Sequence, residues 1–167
     1  MNSCSDFNRR RASLVRVYNP EMMRRDLPFI ENAVTSCLAA RKEVLAAYIF
    51  GSVASGRARR DSDVDIAVLV SDKIMRGDSW KYRLESISSL VDALCRDDVD
   101  LILLNEAPPL LAHRVLSKGK LILERSASAR VAFQVRTVNR YLDTQPMRNL
   151  FLERLKKDAR EGKILGR

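Results

Sequence analysis

Few residues suited to soft-metal or redox chemistry occur in this chain. Among 167 residues there are three cysteines, one histidine and one tryptophan. Cys4, Cys37 and Cys95 are scattered and odd in number, and only His113 could join them as a ligand. They therefore make neither a zinc pattern nor a disulfide framework. Long apolar runs are missing too, since no stretch approaches the ~20 residues needed to span a bilayer. Arg9-Arg10-Arg11, followed by Ala-Ser-Leu-Val-Arg, interrupts any signal-peptide core. Aromatics are 6% of the chain and do not alternate with the basic residues, which leaves stacking on single-stranded nucleic acid little support. The expectation is a cytoplasmic protein of one domain.

What is present is a globular composition, 46% hydrophobic and 31% charged, with a net charge of +9. The charge is uneven. Residues 1–30 hold six Lys/Arg against three Asp/Glu, residues 31–125 hold fourteen of each, and residues 126–167 hold ten against four. A balanced middle with basic flanks suits an acidic or nucleic-acid partner at the C-terminal end, although a solvated basic face explains the same charges.

Residues 1–20 lack a sustained apolar period and read as a loose arm. A core domain over 21–125 and a helical extension over 126–167 follow. Helices are expected over Leu27–Arg41, Asp78–Arg96 and Pro108–Ser117, with Asp26 as an N-cap and Pro28 in the first turn. Trp80, Leu84, Ile87, Val91 and Leu94 repeat at helical spacing, with Trp80 a core or edge aromatic. Strands are expected at Val44–Phe50, Val64–Val70, Val99–Leu104 and Lys120–Glu124. Beyond Arg125 the pattern is helical. Val131, Val135, Val138 and Leu142 form one stripe and Met147, Leu150, Phe151 and Leu155 another, with a fraying basic tail from Lys156. Either stripe could close the sheet or meet a second chain. The fold class is α/β (α+β), a small mixed sheet of about four strands packed by helices.

The informative stretch joins the first two strands. Gly51-Ser52 ends one and Asp63-Val64-Asp65 opens the next. Alternation along a strand places Asp63 and Asp65 on one side and Val64, Ile66, Val68 and Val70 on the other. Two neighbouring carboxylates repel, and a divalent cation is the usual reason to tolerate them. Gly51 permits close backbone approach, and Ser52 offers a hydroxyl and an amide to a phosphate. A phosphate site beside a carboxylate pair reads as a metal–nucleotide site. Asp100 is the acidic residue embedded in the third strand, whereas Asp97 and Asp98 read as polar loop residues. Arg57, Arg59 and Arg60 could steer phosphate or be merely solvated.

Gly51-Ser52, the second glycine Gly56, Ser62-Asp63 and Asp65 resemble the minimal nucleotidyltransferase (MNT) group of the polymerase-β-type nucleotidyltransferases. Asp100 and Asn105 fit that group's aspartate five residues before an asparagine. Leu104–Leu116, a Gly-Lys-Leu strand and a helix bearing Arg130, Phe133 and Arg136-Thr-Val-Asn-Arg-Tyr141 resemble its antitoxin branch. The resemblance implies nucleotidyl transfer with two magnesium ions. Asp63, Asp65 and Asp100 would be catalytic and metal-binding, with Asp100 a candidate base. Gly51, Ser52, Ser62, Asp63 and Asp65 would bind the nucleotide. It further implies AMP transfer from ATP to a tyrosine of a HEPN-type ribonuclease toxin. The chain is not itself such a ribonuclease, which needs an arginine five residues before its histidine, because Pro108 stands there before His113. Ser55 departs from the group's usual arginine. Two alternatives remain: a small-molecule, aminoglycoside-type acceptor, disfavoured by the basic C-terminus, and a non-catalytic binding module, disfavoured by three retained carboxylates.

Overall fold

The computed structural model describes residues 26–59 and 62–161. The arm of residues 1–20, Cys4 and Arg60 lie outside them.

Helix α1, Leu27–Ala39, carries Pro28 in its first turn and buries Ile30, Val34 and Leu38, one per turn along a single face. Asp26 stands at its N-cap, but the side chain makes no capping bond. The helix stops two residues short of Arg41. That side chain reaches α4 (Ser79–Leu94), donating to Ser89 Oγ at 2.9 Å and to the Glu85 carbonyl at 3.2 Å.

Four strands build one sheet in the order β3-β2-β1-β4. They are β1 (Val44–Phe50), β2 (Val64–Val70), β3 (Val99–Leu103) and β4 (Lys120–Glu124). β1 runs antiparallel to β2 and β4, while β3 lies parallel to β2. Parallel neighbours need a crossover, which here holds the short α3 (Asp72–Met75) and then α4. The short α2 (Gly51–Ala54) follows β1 directly.

Each face of the sheet is covered. Helices α1 and α4 pack on one, where Ile30, Val34, Leu90 and Leu94 meet Ile49, Ile66 and Leu101. On the other, α5 (Pro109–Lys118) and α6 (Ala127–Asp143) bring Ala112, Val115 and Phe133 against Tyr48, Ala67 and Leu69.

Helix α4 turns a different face inward from the one its apolar residues suggest. Tyr82, Ser86, Leu90 and Leu94 are buried, whereas Trp80 is 64% exposed and Leu84 is exposed too. Ser86 can occupy the tight contact because its hydroxyl donates to the Tyr82 carbonyl at 2.7 Å, which removes the cost of burying it. Cys95 caps α4 in the left-handed region, φ 51°, and is disulfide-bonded, against the expectation that the cysteines make no disulfide, while Cys37 is free and half-buried.

Helix α6 closes the sheet through Phe133 and Thr137 and leaves Val131, Val135 and Leu142 in solvent. Helix α7 (Gln145–Arg160) buries no residue, and Met147, Leu150 and Phe151 are exposed along it. It extends through Lys156 to Arg160, beyond the point where fraying was expected. His113 and Tyr141 stack at 4.0 Å between centroids, with the Arg148 guanidinium 4.1 Å from the Tyr141 ring. This packs the one histidine between helices and links α5, α6 and α7. No helix among the described residues is long and apolar enough to cross a membrane.

Candidate active site

At the end of β1 the chain turns through Gly51 with φ +71°. A methyl group there would lie 1.9 Å from Asp65 Oδ2. Asp65 is paired with Phe50 across the β1–β2 ladder, so its carboxylate rests directly on the glycine. Ser52 follows, half-buried at the start of α2. Its carbonyl accepts from the Arg57 amide at 2.9 Å and from Ser55 Oγ at 3.1 Å, so Ser55 fastens this turn. Gly56 also has positive φ, +67°, and faces open space.

The loop returns to β2 through Ser62. Its hydroxyl accepts from the Arg59 amide at 2.7 Å, and its own amide donates to the Arg59 carbonyl at 3.1 Å. Arg57 and Arg59 are exposed. Asp63 is exposed one residue before β2, and Asp65 lies half-buried within that strand.

Parallel pairing then brings in the third carboxylate. Asp65 and Asp100 are direct register partners across β2 and β3. Asp65 has the parity of Ala67 and Leu69, and Asp100 that of Ile102. Both therefore stand on the sheet face that α5 and α6 cover farther along. The crowding registers in the Asp65 carboxyl. Burial, then Asp100, then Asp63 push its pKa above the ordinary carboxylate value. Among the described residues no three His, Cys, Asp or Glu side chains are gathered as they stand into a group that could hold a metal ion; Asp63 and Asp100 are exposed. The donors are all carboxylate oxygens, and their mutual repulsion is the condition a hard divalent cation relieves.

Two arginines that the sequence did not reveal brace this set. Arg96 is ion-paired with Asp98 through Nε and a terminal nitrogen, and that terminal nitrogen also donates to the Ser62 carbonyl at 2.8 Å. Asp98 is thus a structural anchor rather than a solvated loop residue, while Asp97 is exposed as expected. The Asp98 carbonyl also accepts from the Val64 amide at 2.9 Å, which ties the Ser62-Asp63 corner to the start of β3. Arg83, on α4, donates from Nε to the Leu101 carbonyl at 2.7 Å and contacts Asp100 Oδ1 at 3.3 Å. The Arg96-x-Asp98 spacing beside Asp100 was a usable signal for the first arginine. For Arg83, only the packing of α4 against β3 supplies one.

The polymerase beta nucleotidyltransferase family matches residues 32–128, from within α1 to the start of α6. The chain belongs to that family. It is 31% identical over 106 residues to protein adenylyltransferase MntA of Shewanella oneidensis, covering 64% of this chain and 72% of that protein. Solved structures agree. A toxin–antitoxin crystal structure with AMP-PNP superposes with a TM-score of 0.65 at 30% identity, covering 75% of this chain and 98% of that one. A second, tri-AMPylated Shewanella oneidensis HEPN toxin in complex with MNT antitoxin, gives 0.62 at 26% identity, covering 78% and 99%. As a nucleotidyltransferase, the chain has its acidic residues where strands β2 and β3 begin and its Gly-Ser turn where β1 ends.

Proposed function

We propose that this nucleotidyltransferase moves AMP from ATP to a hydroxyl of a partner protein, a tyrosine of a HEPN-type ribonuclease toxin, and thereby acts as its antitoxin. The observation that carries the reading is the pairing of Asp65 with Asp100 beside the Gly51-Ser52 turn, with Asp63 as the third carboxylate. The similarity to MntA, and to complexes of MNT antitoxin with HEPN toxin, supports the acceptor.

Asp63, Asp65 and Asp100 would hold magnesium, two ions in this scheme. Bound there, magnesium supplies positive charge beside the triphosphate and the reacting α-phosphorus. Ser52 and the backbone after Gly51 grip the outer phosphates, and the exposed Arg57 and Arg59 add positive charge to the loop. In the transfer itself the acceptor oxygen bonds to the α-phosphorus and the bond to the β-bridging oxygen breaks. Pyrophosphate leaves with that electron pair, and the acceptor's proton passes to the carboxylate set, of which Asp100 is an exposed member. Positioning and electrostatics dominate such a reaction.

The test is co-expression with the product of the neighbouring gene, followed by intact-mass measurement of that product. AMP-sized increments with wild type and none with Asp63→Asn are expected. A stable complex whose mass neither version changes would replace this reading with a binding module.

A further inference from the structure

Three carboxylates at one end of the sheet need help to stay in place before any cation arrives. Arg83 gives that help to Asp100. Its Nε donates to the Leu101 carbonyl at 2.7 Å, and its terminal nitrogen contacts Asp100 Oδ1 at 3.3 Å. The backbone bond is the shorter one and fixes the guanidinium on β3; the carboxylate is held by what remains of the fork. The guanidinium is planar and rigid, so fixing Nε directs the terminal nitrogen beside it. Arg83 is only about one-third exposed, whereas Asp100 is 54% exposed, so the cation is the better-packed member of the pair.

We propose that Arg83 is a positioning residue for the metal–nucleotide site, holding Asp100 by one carboxylate oxygen and leaving the other for the cation. The proposal rests on the magnesium-dependent reading given above. A carboxylate can accept at both oxygens, so arginine on Oδ1 and a cation on the second oxygen are compatible. Carboxylate ligands are themselves usually held by a hydrogen bond, and loss of such a partner typically weakens metal binding by about 10- to 100-fold. Arg83 also offsets part of the negative charge without touching Asp65, the member of the trio most subject to burial and like-charge repulsion.

Lysine separates the two contributions of this side chain. It keeps the charge but has no fork, so it cannot hold the Leu101 carbonyl and Asp100 together in one fixed geometry. Full-length wild type, Arg83→Lys and Arg83→Gln would be titrated with Mn2+ in the presence of non-cleavable α,β-methylene ATP. Bound manganese would be read by electron paramagnetic resonance, and melting temperature would be recorded alongside. Manganese binding weakened about tenfold in both variants is expected, with the lysine variant still folded. Unchanged or tighter binding in folded Arg83→Lys would overturn the proposal while leaving the nucleotidyltransferase reading intact. Failure of wild type to bind manganese would overturn the metal reading and this inference with it.

Discussion

Asp65 Oδ2 occupies the space that a side chain at Gly51 would need, 1.9 Å from the position of its first carbon. Turn and carboxylate are thus fitted to each other, although thirteen residues separate them in the chain. Alanine at 51 must either displace Asp65 or shift the turn, and it must also adopt a φ of +71°. The left-handed conformation alone costs a non-glycine residue about 1–2 kcal/mol. Gly51→Ala is expected to lower both melting temperature and adenylyl transfer, the latter by about 100-fold if Asp65 moves by ~1 Å. Wild-type transfer rates in the alanine variant would refute this fit.

A pH effect follows from the same residue. The Asp65 carboxyl binds its proton more tightly in the native chain than in the unfolded one, because burial, Asp100 and Asp63 all disfavour its charge. Its stabilising contribution is complete below the ordinary value of 3.8 and is lost as pH rises through the raised native value. In metal-free protein at neutral pH, Asp65→Asn should therefore increase the melting temperature while abolishing transfer. Thermal melts with and without magnesium check it, and the advantage of asparagine should shrink when the cation is present.

Arg96 offers a test of the brace around Ser62-Asp63. Its side chain is only 12% exposed and carries the Asp98 pair as well as the bond to the Ser62 carbonyl. Arg96→Gln should cost about 2 kcal/mol in urea unfolding, in the range for hydrogen bonds to charged groups. Transfer should fall as well, because the corner bearing Asp63 loses its tie to β3.

Asn105 should separate stability from activity. Its Oδ1 accepts from the Val70 amide and its Nδ2 donates to the Val70 carbonyl, both at 3.0 Å, pinning the far end of β2. Asn105→Ala should cost about 1–3 kcal/mol. Asp65 lies five residues from Val70, roughly 16 Å along a strand. KM for ATP should accordingly remain near wild type below the melting transition; a large rise would show the two ends to be coupled.

The asparagine also illustrates what the chain disclosed in advance. The spacing of Asp100 and Asn105 was visible as a pattern, but its reason is structural: one residue pairs with Asp65 and the other closes the β2–β3 pair behind it. The four strands stood out because short apolar runs bounded by turn residues leave little choice. α4 was harder to read. Its apolar count favoured Trp80 and Leu84, whereas packing selected Tyr82 and Ser86, since a serine satisfied within its own helix is as easily buried as a small apolar residue.

By itself the sequence determined the Gly51-Ser52 turn, the Asp63/Asp65 pair and the strands carrying them. These are local matters, governed by alternation along a strand and the freedom of glycine at a turn. Only the tertiary structure decided that Asp100 sits beside Asp65, that Arg83 and Arg96 brace the set, and that the α6 valine stripe faces solvent. Those relations depend on the register of parallel strands joined by a long crossover and on the rotation of helices over the sheet. Both are fixed by contacts between residues far apart in the chain, which no local pattern encodes.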